Sequence, residues 1–119
     1  MIQERLITYD TAQLAAEKGF NGKCSHQYMD ENGKQILMAA NVMYGGATFY
    51  GAPTQHILQK WLRDEHMVIV YVFVNQAGIY VEIFNPNNSQ HNTTFGEDGG
   101  YDTWEDALEV GLYEALKLL

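Results

Sequence analysis

The chain has 119 residues, of which 46% are hydrophobic and 13% aromatic, and it carries a formal net charge of −8 at pH 7. That length and composition predict one domain, spanning residues 1–119, with enough apolar side chains to fill a core. The acidic balance disfavours direct binding to nucleic acid or to an anionic membrane, because both require clustered lysine and arginine and the chain has only 7 such residues, scattered along it.

The cysteine content and the N-terminal residues are used to predict the cellular compartment of the protein. Cys24 is the single cysteine, so an internal disulfide is excluded. No basic segment followed by an apolar stretch opens the chain, and the longest apolar run, Met67 to Val74, is far shorter than a membrane span. We therefore predict a cytoplasmic protein, and no motif in the sequence predicts a cofactor or a metal.

The first predicted element is a short helix that ends before Gly19. Thr8 or Asp10 can cap it, and Asp10 with Gln13 resembles a capping box. Gly19 fits the position after the last turn, where Phe20 closes back over the helix.

A hairpin is predicted next. Gln27–Met29 and Gln35–Ala39 flank Asn32-Gly33, a dipeptide typical of two-residue hairpin turns. The segment Asn41–Tyr50 admits a second hairpin or an ordered loop, and we favour a strand followed by a turn.

The middle of the chain predicts a helix and a second hairpin. The helix begins at Pro53-Thr54, runs to about Glu65 and collects its apolar residues on one face. The apolar run Met67–Val74 predicts a central strand that is covered on both sides. Ile79–Phe84 returns as its partner, and Asn85–Gly100 is predicted to be a long polar loop.

The last predicted element is a helix capped by Thr103, with apolar residues at helical spacing from Trp104 to Leu116. Both tryptophans, Trp61 and Trp104, fall on apolar helix faces and are expected in the core. The Tyr-Asp-Thr triplets at residues 9–11 and 101–103 raise the alternatives of an internal duplication and of two independent helix starts, and we favour the second.

These elements predict an α+β fold in the order α-β-β-α-β-β-α. We expect one antiparallel sheet of about four strands, with helices packed mainly on one of its faces. A central apolar strand would then leave a hydrophobic patch that a twofold partner could bury, which suggests a homodimer.

Two helical segments carry a resemblance to other proteins. Pro53–His66, which reads PTQHILQKWLRDEH, and the ending from Tyr101 through Leu118, beginning YDTWEDALE, resemble segments of an uncharacterised family of small proteins from anaerobic gut bacteria and their phages. The resemblance covers about half of the chain. It implies a phage or mobile-element context, and it assigns no activity and no functional residue.

One candidate binding site is the glycine-rich stretch before the second helix. Free backbone N–H groups at a helix start can hold an anion, and an aromatic ring nearby can stack on a ligand. The stretch lacks the Lys-Ser/Thr pair of a phosphate-binding loop, so a hairpin and a tight turn are the simpler interpretation. The residues of this tentative site are Gly45, Gly46, Tyr50, Thr54 and His56.

Cys24 and His26 form the second candidate, as a nucleophile with its base or as two metal ligands. A structural zinc site needs four ligands, and the chain has no second cysteine. A small buried hydrophobic cysteine is the simpler interpretation.

The third candidate is an acidic face around the last helix. Seven of the fifteen acidic residues lie between Glu97 and Glu114, with no basic residue among them. Such a face attracts a basic protein or imitates the phosphates of DNA, although a solubilising helix face is the simpler interpretation. The tentative partner-binding acids are Asp102, Glu105, Asp106 and Glu109.

The sequence therefore predicts a non-enzymatic protein-interaction module that binds a protein partner or itself. The first alternative is an acidic phage-type inhibitor, or DNA mimic, that acts on a host protein. The second is a small ligand-binding protein or enzyme that uses the glycine-rich loop before Pro53.

Overall fold

The computed structural model describes residues 4–41, 45–86 and 93–119. In chain order the elements run α-β-β-β-α-β-β-β-α, so the α+β class is confirmed. Their bounds are α1 (Tyr9–Glu17), β1 (His26–Glu31), β2 (Lys34–Ala39), β3 (Thr48–Gly51), α2 (Gln55–His66), β4 (Ile69–Asn75), β5 (Gly78–Phe84), β6 (Thr93–Phe95) and α3 (Trp104–Leu116).

Each helix begins at a threonine that satisfies one of its free N–H groups. Thr8, Thr54 and Thr103 accept from the backbone N–H groups three residues further on. The first helix ends as its sequence predicts, because Gly19 takes a φ of +100° and Phe20 N donates to Ala15 O at 2.9 Å. In one Tyr-Asp-Thr triplet the threonine caps α3, whereas in the other Thr11 already lies inside α1, so the two triplets do not occupy equivalent positions.

The strands form two separate antiparallel sheets of three, with orders β2-β1-β3 and β4-β5-β6. The prediction of one sheet of about four strands is therefore wrong. Two short strands explain the difference. A strand was predicted before the Gly45-Gly46 turn, whereas β3 follows that turn. The other short strand, β6, lies within the segment predicted to be a polar loop. The strand expected at Val42–Tyr44 falls outside the described residues.

In the first sheet, Asn32 and Gly33 take positive φ values of 54° and 84° at the predicted hairpin turn. The sheet packs on α1 through tyrosines, since the Tyr9 ring lies edge-on to Tyr28 and Tyr50 with both centroid distances 5.8 Å. Tyr9 also donates to Asp30 Oδ2 at 2.9 Å. Desolvation and this hydrogen bond raise the pKa of Tyr9 to about 12.

In the second sheet, the predicted hairpin is confirmed, with Val72 opposite Val81. The prediction that the Met67–Val74 strand is central is wrong: β5 is central and β4 is at the edge. Valines alternate along β4 with larger side chains. Val68, Val70 and Val72 are buried, whereas Ile69 and Tyr71 are each 37% exposed. The strand is therefore covered on one face and not on both.

The core lies between the second sheet and the helices. It is formed by residues of all three helices together with the inner face of β4 and β5. The α3 helix approaches the sheet closely at Gly111, where an added Cβ would lie 2.8 Å from Val70 Cγ1 and would also overlap the Val81 methyl groups. Leu108, Leu112 and Leu116 fill the helix side of this core and are each no more than 1% exposed.

The molecule measures 48 × 33 × 28 Å along its principal axes. The radius of gyration of 15.2 Å exceeds the value of about 13.5 Å expected for a compact chain of this length. Among the described residues, no helix combines the length and the apolar character needed to cross a membrane.

Candidate interaction surface

The residues of the predicted glycine-rich site take on separate local roles. The Tyr50 ring packs against Tyr9, and the Thr54 hydroxyl accepts from Ile57 N at 3.3 Å as the cap of α2. Gly45 and Gly46 form an exposed turn. His56 lies in a groove on the other side of the α2 start, with its Nδ1 3.1 Å from Glu4 Oε1. Anion binding at this helix start stays a prediction.

Cys24 and His26 also make separate contacts. The Cys24 thiol donates to Gly22 O at 3.4 Å, and His26 Nδ1 lies 2.9 Å from Ser25 Oγ. Burial raises the pKa of the Cys24 thiol, which disfavours the reactive thiolate at neutral pH. Within the described part of the chain, no group of three or more metal-ligating side chains lies close enough together to hold a metal ion.

The groove that contains His56 has a volume of about 170 Å³ and lies between the starts of α2 and α3. It brings His56 together with Glu105, two residues that the sequence assigned to different candidate sites. Trp104 lines it and is 46% exposed, so the prediction that Trp104 belongs to the core is wrong. As the first residue of α3, Trp104 points out beside the cap, whereas Trp61 is half-buried and packs against the core.

Two of the four predicted partner-binding acids are held by contacts within the chain. Asp106 accepts a hydrogen bond from Arg5 at 2.8 Å. That bond raises the pKa of Arg5, and together with the contact to Thr103 it lowers the pKa of Asp106. Asp102 and Glu105 are exposed. The acidic face is therefore divided between structural carboxylates and exposed ones.

Glu109 is the second structural carboxylate, and it connects the three helices. Its Oε2 accepts from Thr8 N at 3.0 Å, from Thr8 Oγ1 at 3.0 Å and from Thr11 Oγ1 at 2.6 Å. Its Oε1 accepts from Gln55 Nε2 at 3.0 Å, and the same amide donates to Glu105 O at 2.9 Å. Since Gln55 is buried at the first position of α2, Glu109 fixes the starts of α1 and α2 against α3.

A further apolar surface is the outer face of the second sheet. We call it the aromatic face and define it by Ile69, Tyr71, Phe73, Tyr80 and Phe84. These side chains alternate with the buried residues of β4 and β5 and therefore point away from the helices. Ile69 stands opposite Phe84 and Phe73 opposite Tyr80, so the side chains form cross-strand pairs.

Ring contacts order the aromatic face. The Phe73 and Tyr80 rings stack with centroids 5.8 Å apart, and Phe73 lies 6.4 Å from Tyr71. Glu82 is the one charged residue that β4 and β5 contain. Its carboxylate accepts a hydrogen bond from the Tyr71 hydroxyl. The face therefore presents an apolar surface rich in aromatic rings, and its single charged side chain, Glu82, is hydrogen-bonded to Tyr71.

The sequence analysis predicted a hydrophobic patch at the apolar strand, but it did not identify the side chains of β4 that form this face. A signal was present: small valines at 68, 70 and 72 alternate with Ile69, Tyr71 and Phe73. Alternation by size among apolar residues marks two faces as surely as alternation by polarity does.

Comparison with protein-family models, with curated proteins and with solved structures gave no match.

Proposed function

We propose that this protein is a non-enzymatic interaction module that binds a protein partner through the aromatic face. The observation that carries the proposal is the position of five large apolar side chains on the sheet face opposite the helices. Ile69, Tyr71 and Phe84 are 37%, 37% and 40% exposed, which leaves a contiguous apolar surface in contact with water. Surfaces of this kind on soluble proteins mark sites of association.

The chemistry of the face suits a protein partner. Tyrosine and phenylalanine are enriched at the buried centres of protein interfaces, and charged residues are depleted there. The Phe73–Tyr80 stack holds two rings in place before binding, so less side-chain entropy is lost when a partner docks. The Tyr71–Glu82 hydrogen bond keeps the single carboxylate partnered when water is removed.

The arrangement of the acids favours this proposal over an acidic inhibitor that imitates DNA. Asp106 is bound by Arg5, and Glu109 is bound by Thr8, Thr11 and Gln55. Glu109 holds the starts of α1 and α2 against α3, so a partner that bound its carboxylate would have to break those contacts, and Asp106 is already paired with Arg5.

The proposal is tested by capture from a lysate of the organism that encodes the chain. The bait is compared with a double variant of the face, Ile69→Thr with Phe84→Ser. The matched control is Ile36→Thr with Leu37→Ser in β2, because those residues are similarly exposed, at 37% and 45%. Thermal unfolding establishes first that all three proteins are folded.

A protein retained in stoichiometric amount by the wild type and by the β2 control, and reduced at least about tenfold by the face variant, supports the proposal. Equal retention by both double variants would show that the partner binds elsewhere. No stoichiometric protein on the wild-type bait would contradict binding to a protein of that organism.

A further inference from the structure

The groove between the starts of α2 and α3 is a concave site apart from the aromatic face. The aromatic face points away from the helices, whereas the groove lies between two of them. Gln55 and Leu108 line the groove and are nearly fully buried, so its inner part is fixed by the core. Its volume of about 170 Å³ corresponds to roughly six water molecules, and sites for drug-sized ligands hold about 300–1,000 Å³. The groove therefore suits a small group of only a few heavy atoms.

Several hydrogen-bond donors at the groove are already used within the chain. The Gln55 side-chain amide donates to Glu105 O at 2.9 Å and to Glu109 Oε1 at 3.0 Å. Its backbone N–H donates to Arg5 O at 2.8 Å, and the Arg5 guanidinium donates to Asp106 Oδ1 at 2.8 Å. The threonine caps of the two helices each accept from one further N–H group. An anion, which a pair of helix starts otherwise favours, therefore finds few free donors here.

The charges around the groove favour a cation. Glu4 and Glu105 line it, and the carboxylate of Asp106 lies beside them, where it binds Arg5. Among the described residues that line the groove, Arg5 alone carries a positive charge at pH 7, since His56 counts as neutral. The two helix starts add roughly half a positive charge each. Three negative charges therefore outweigh about two positive ones, in a chain whose net charge is −8.

Trp104 and Glu105, at the start of α3, supply two contacts that suit an organic cation. Both side chains are exposed and both line the groove. The face of an indole ring attracts a cation more strongly than the other aromatic side chains do. The Glu105 carboxylate makes no hydrogen bond or ion pair with another described residue, whereas Glu4 Oε1 lies 3.1 Å from His56 Nδ1. A ring and a free carboxylate are therefore available in one groove.

We propose that this groove binds a small organic cation, an alkyl chain that ends in an ammonium group. The ammonium group lies against the Trp104 indole and pairs with the Glu105 carboxylate, and the alkyl chain covers Leu108. Two sources carry this chemistry, a free alkylamine and the lysine side chain of a peptide. The site is separate from the aromatic face, and its existence does not depend on the proposed function.

The experiment titrates the ¹⁵N-labelled full chain with n-butylammonium chloride at pH 8 and low ionic strength, where charges are least screened. The indole N–H signal of Trp104, identified by its loss in Trp104→Leu, should shift with a dissociation constant of about 10 mM, a value typical of so small a ligand. Sodium chloride at equal concentration should not produce this shift. Neither should 1-butanol, which has the same alkyl chain without the charge.

Two groove variants and one matched control locate the site, after thermal unfolding has established that all are folded. Glu105→Gln removes an exposed ion pair and should raise the dissociation constant about threefold. Trp104→Leu removes the ring and should raise it at least about threefold, followed at the backbone amides of Glu105 and Leu108. Asp10→Asn also removes an exposed acid from the first turn of a helix, in α1, and should bind like the wild type.

A peptide probe, N-acetyl-glycyl-lysyl-glycine amide, distinguishes the two sources of the ammonium group. Tighter binding of this peptide than of n-butylammonium assigns the groove to a lysine side chain, and weaker binding assigns it to a free alkylamine.

Four results would overturn the site. A Trp104 signal that does not shift with either probe up to about 100 mM, or that shifts equally with 1-butanol, would show that the groove holds no cation. Equal weakening by Asp10→Asn and Glu105→Gln would show that the cation follows the overall charge of the chain. A larger shift with sodium phosphate than with n-butylammonium would show that Arg5 and the helix starts make the groove an anion site.

Discussion

The two sheets have the same number of strands and the same antiparallel pairing, but different interactions hold them in the molecule. The second sheet buries Val70, Val72 and Val81 under α2 and α3, and each of these residues is at most 8% exposed. The first sheet rests on α1 through tyrosines, of which Tyr9 donates to Asp30 Oδ2 at 2.9 Å and Tyr28 to Ile7 O at 2.7 Å. In β2, five of six residues are exposed.

The difference shows that the second sheet is part of the buried core, whereas the first sheet is largely exposed. Apolar burial scales with area and dominates the stability of the second sheet, whereas the first contributes fewer buried groups and more directed polar contacts. Of the two, the better-supported sheet also carries the aromatic face, so its rings are held on a rigid support. The predictions below test this contrast, from the largest effect to the smallest.

Leu112→Ala should destabilise the fold by about 2–5 kcal/mol, because it opens a cavity where the side chain is fully buried. Leu112 lies in α3, which covers the second sheet, and it is compared with Leu37→Ala in the first sheet, where the side chain is 45% exposed. Leu37→Ala should cost less than about 0.5 kcal/mol. Chemical denaturation of both variants measures the difference, and equal losses would refute the contrast between the sheets.

Gly111→Ala should lower the free energy of unfolding by about 1–3 kcal/mol although alanine is the better helix former. The added methyl would meet Val81 and Val70, whose branched side chains have little room to move. Thermal unfolding measures the effect. An increase in stability would show that α3 sits farther from the sheet than the structure has it.

Glu109→Gln should destabilise the protein by about 1.5–3 kcal/mol, the range for hydrogen bonds to a charged group. Glutamine offers one acceptor oxygen, so the donors of Thr8, Thr11 and Gln55 cannot all be satisfied. Denaturation measures the loss, and hydrogen exchange should locate it at the starts of α1 and α2. Unchanged protection at both helix starts would contradict the role of Glu109 as their common acceptor.

The Arg5–Asp106 pair should give a small, pH-dependent contribution. The folded-state pKa of Asp106 is lowered, so the contribution is present above the unfolded pKa of about 4 and is lost as pH falls through the folded value. Asp106→Asn should therefore melt below the wild type at pH 6, and the two curves should converge as the pH falls through the lowered pKa of Asp106. A difference that persists unchanged in acid would exclude ionisation of Asp106 as its cause.

Local signals in the sequence predicted much of the secondary structure. Threonine caps, Gly19 and Asn32-Gly33 each act on neighbouring backbone, and they sit where the sequence predicts them. The division into two sheets was not predictable, because β3 and β6 have only four and three residues and β3 pairs with β1 instead of with the preceding strand. Long-range pairing leaves little trace in so short a run.

The candidate sites were harder to predict than the fold. The acids around α3 were identified, but sequence spacing gives no sign that Arg5 and Thr8, about a hundred residues away, bind Asp106 and Glu109. A hydrophobic patch was predicted at the apolar strand, but its residues were not, because a run of apolar residues does not state how many of its sides are covered. That number depends on where α2 and α3 pack.

The most direct test of the aromatic face as the binding surface is the capture experiment with the Ile69→Thr/Phe84→Ser variant and the Ile36→Thr/Leu37→Ser control. The account predicts that the face variant retains at least about tenfold less of the partner than the control does. Equal retention by the two variants would contradict the aromatic face as the site of binding.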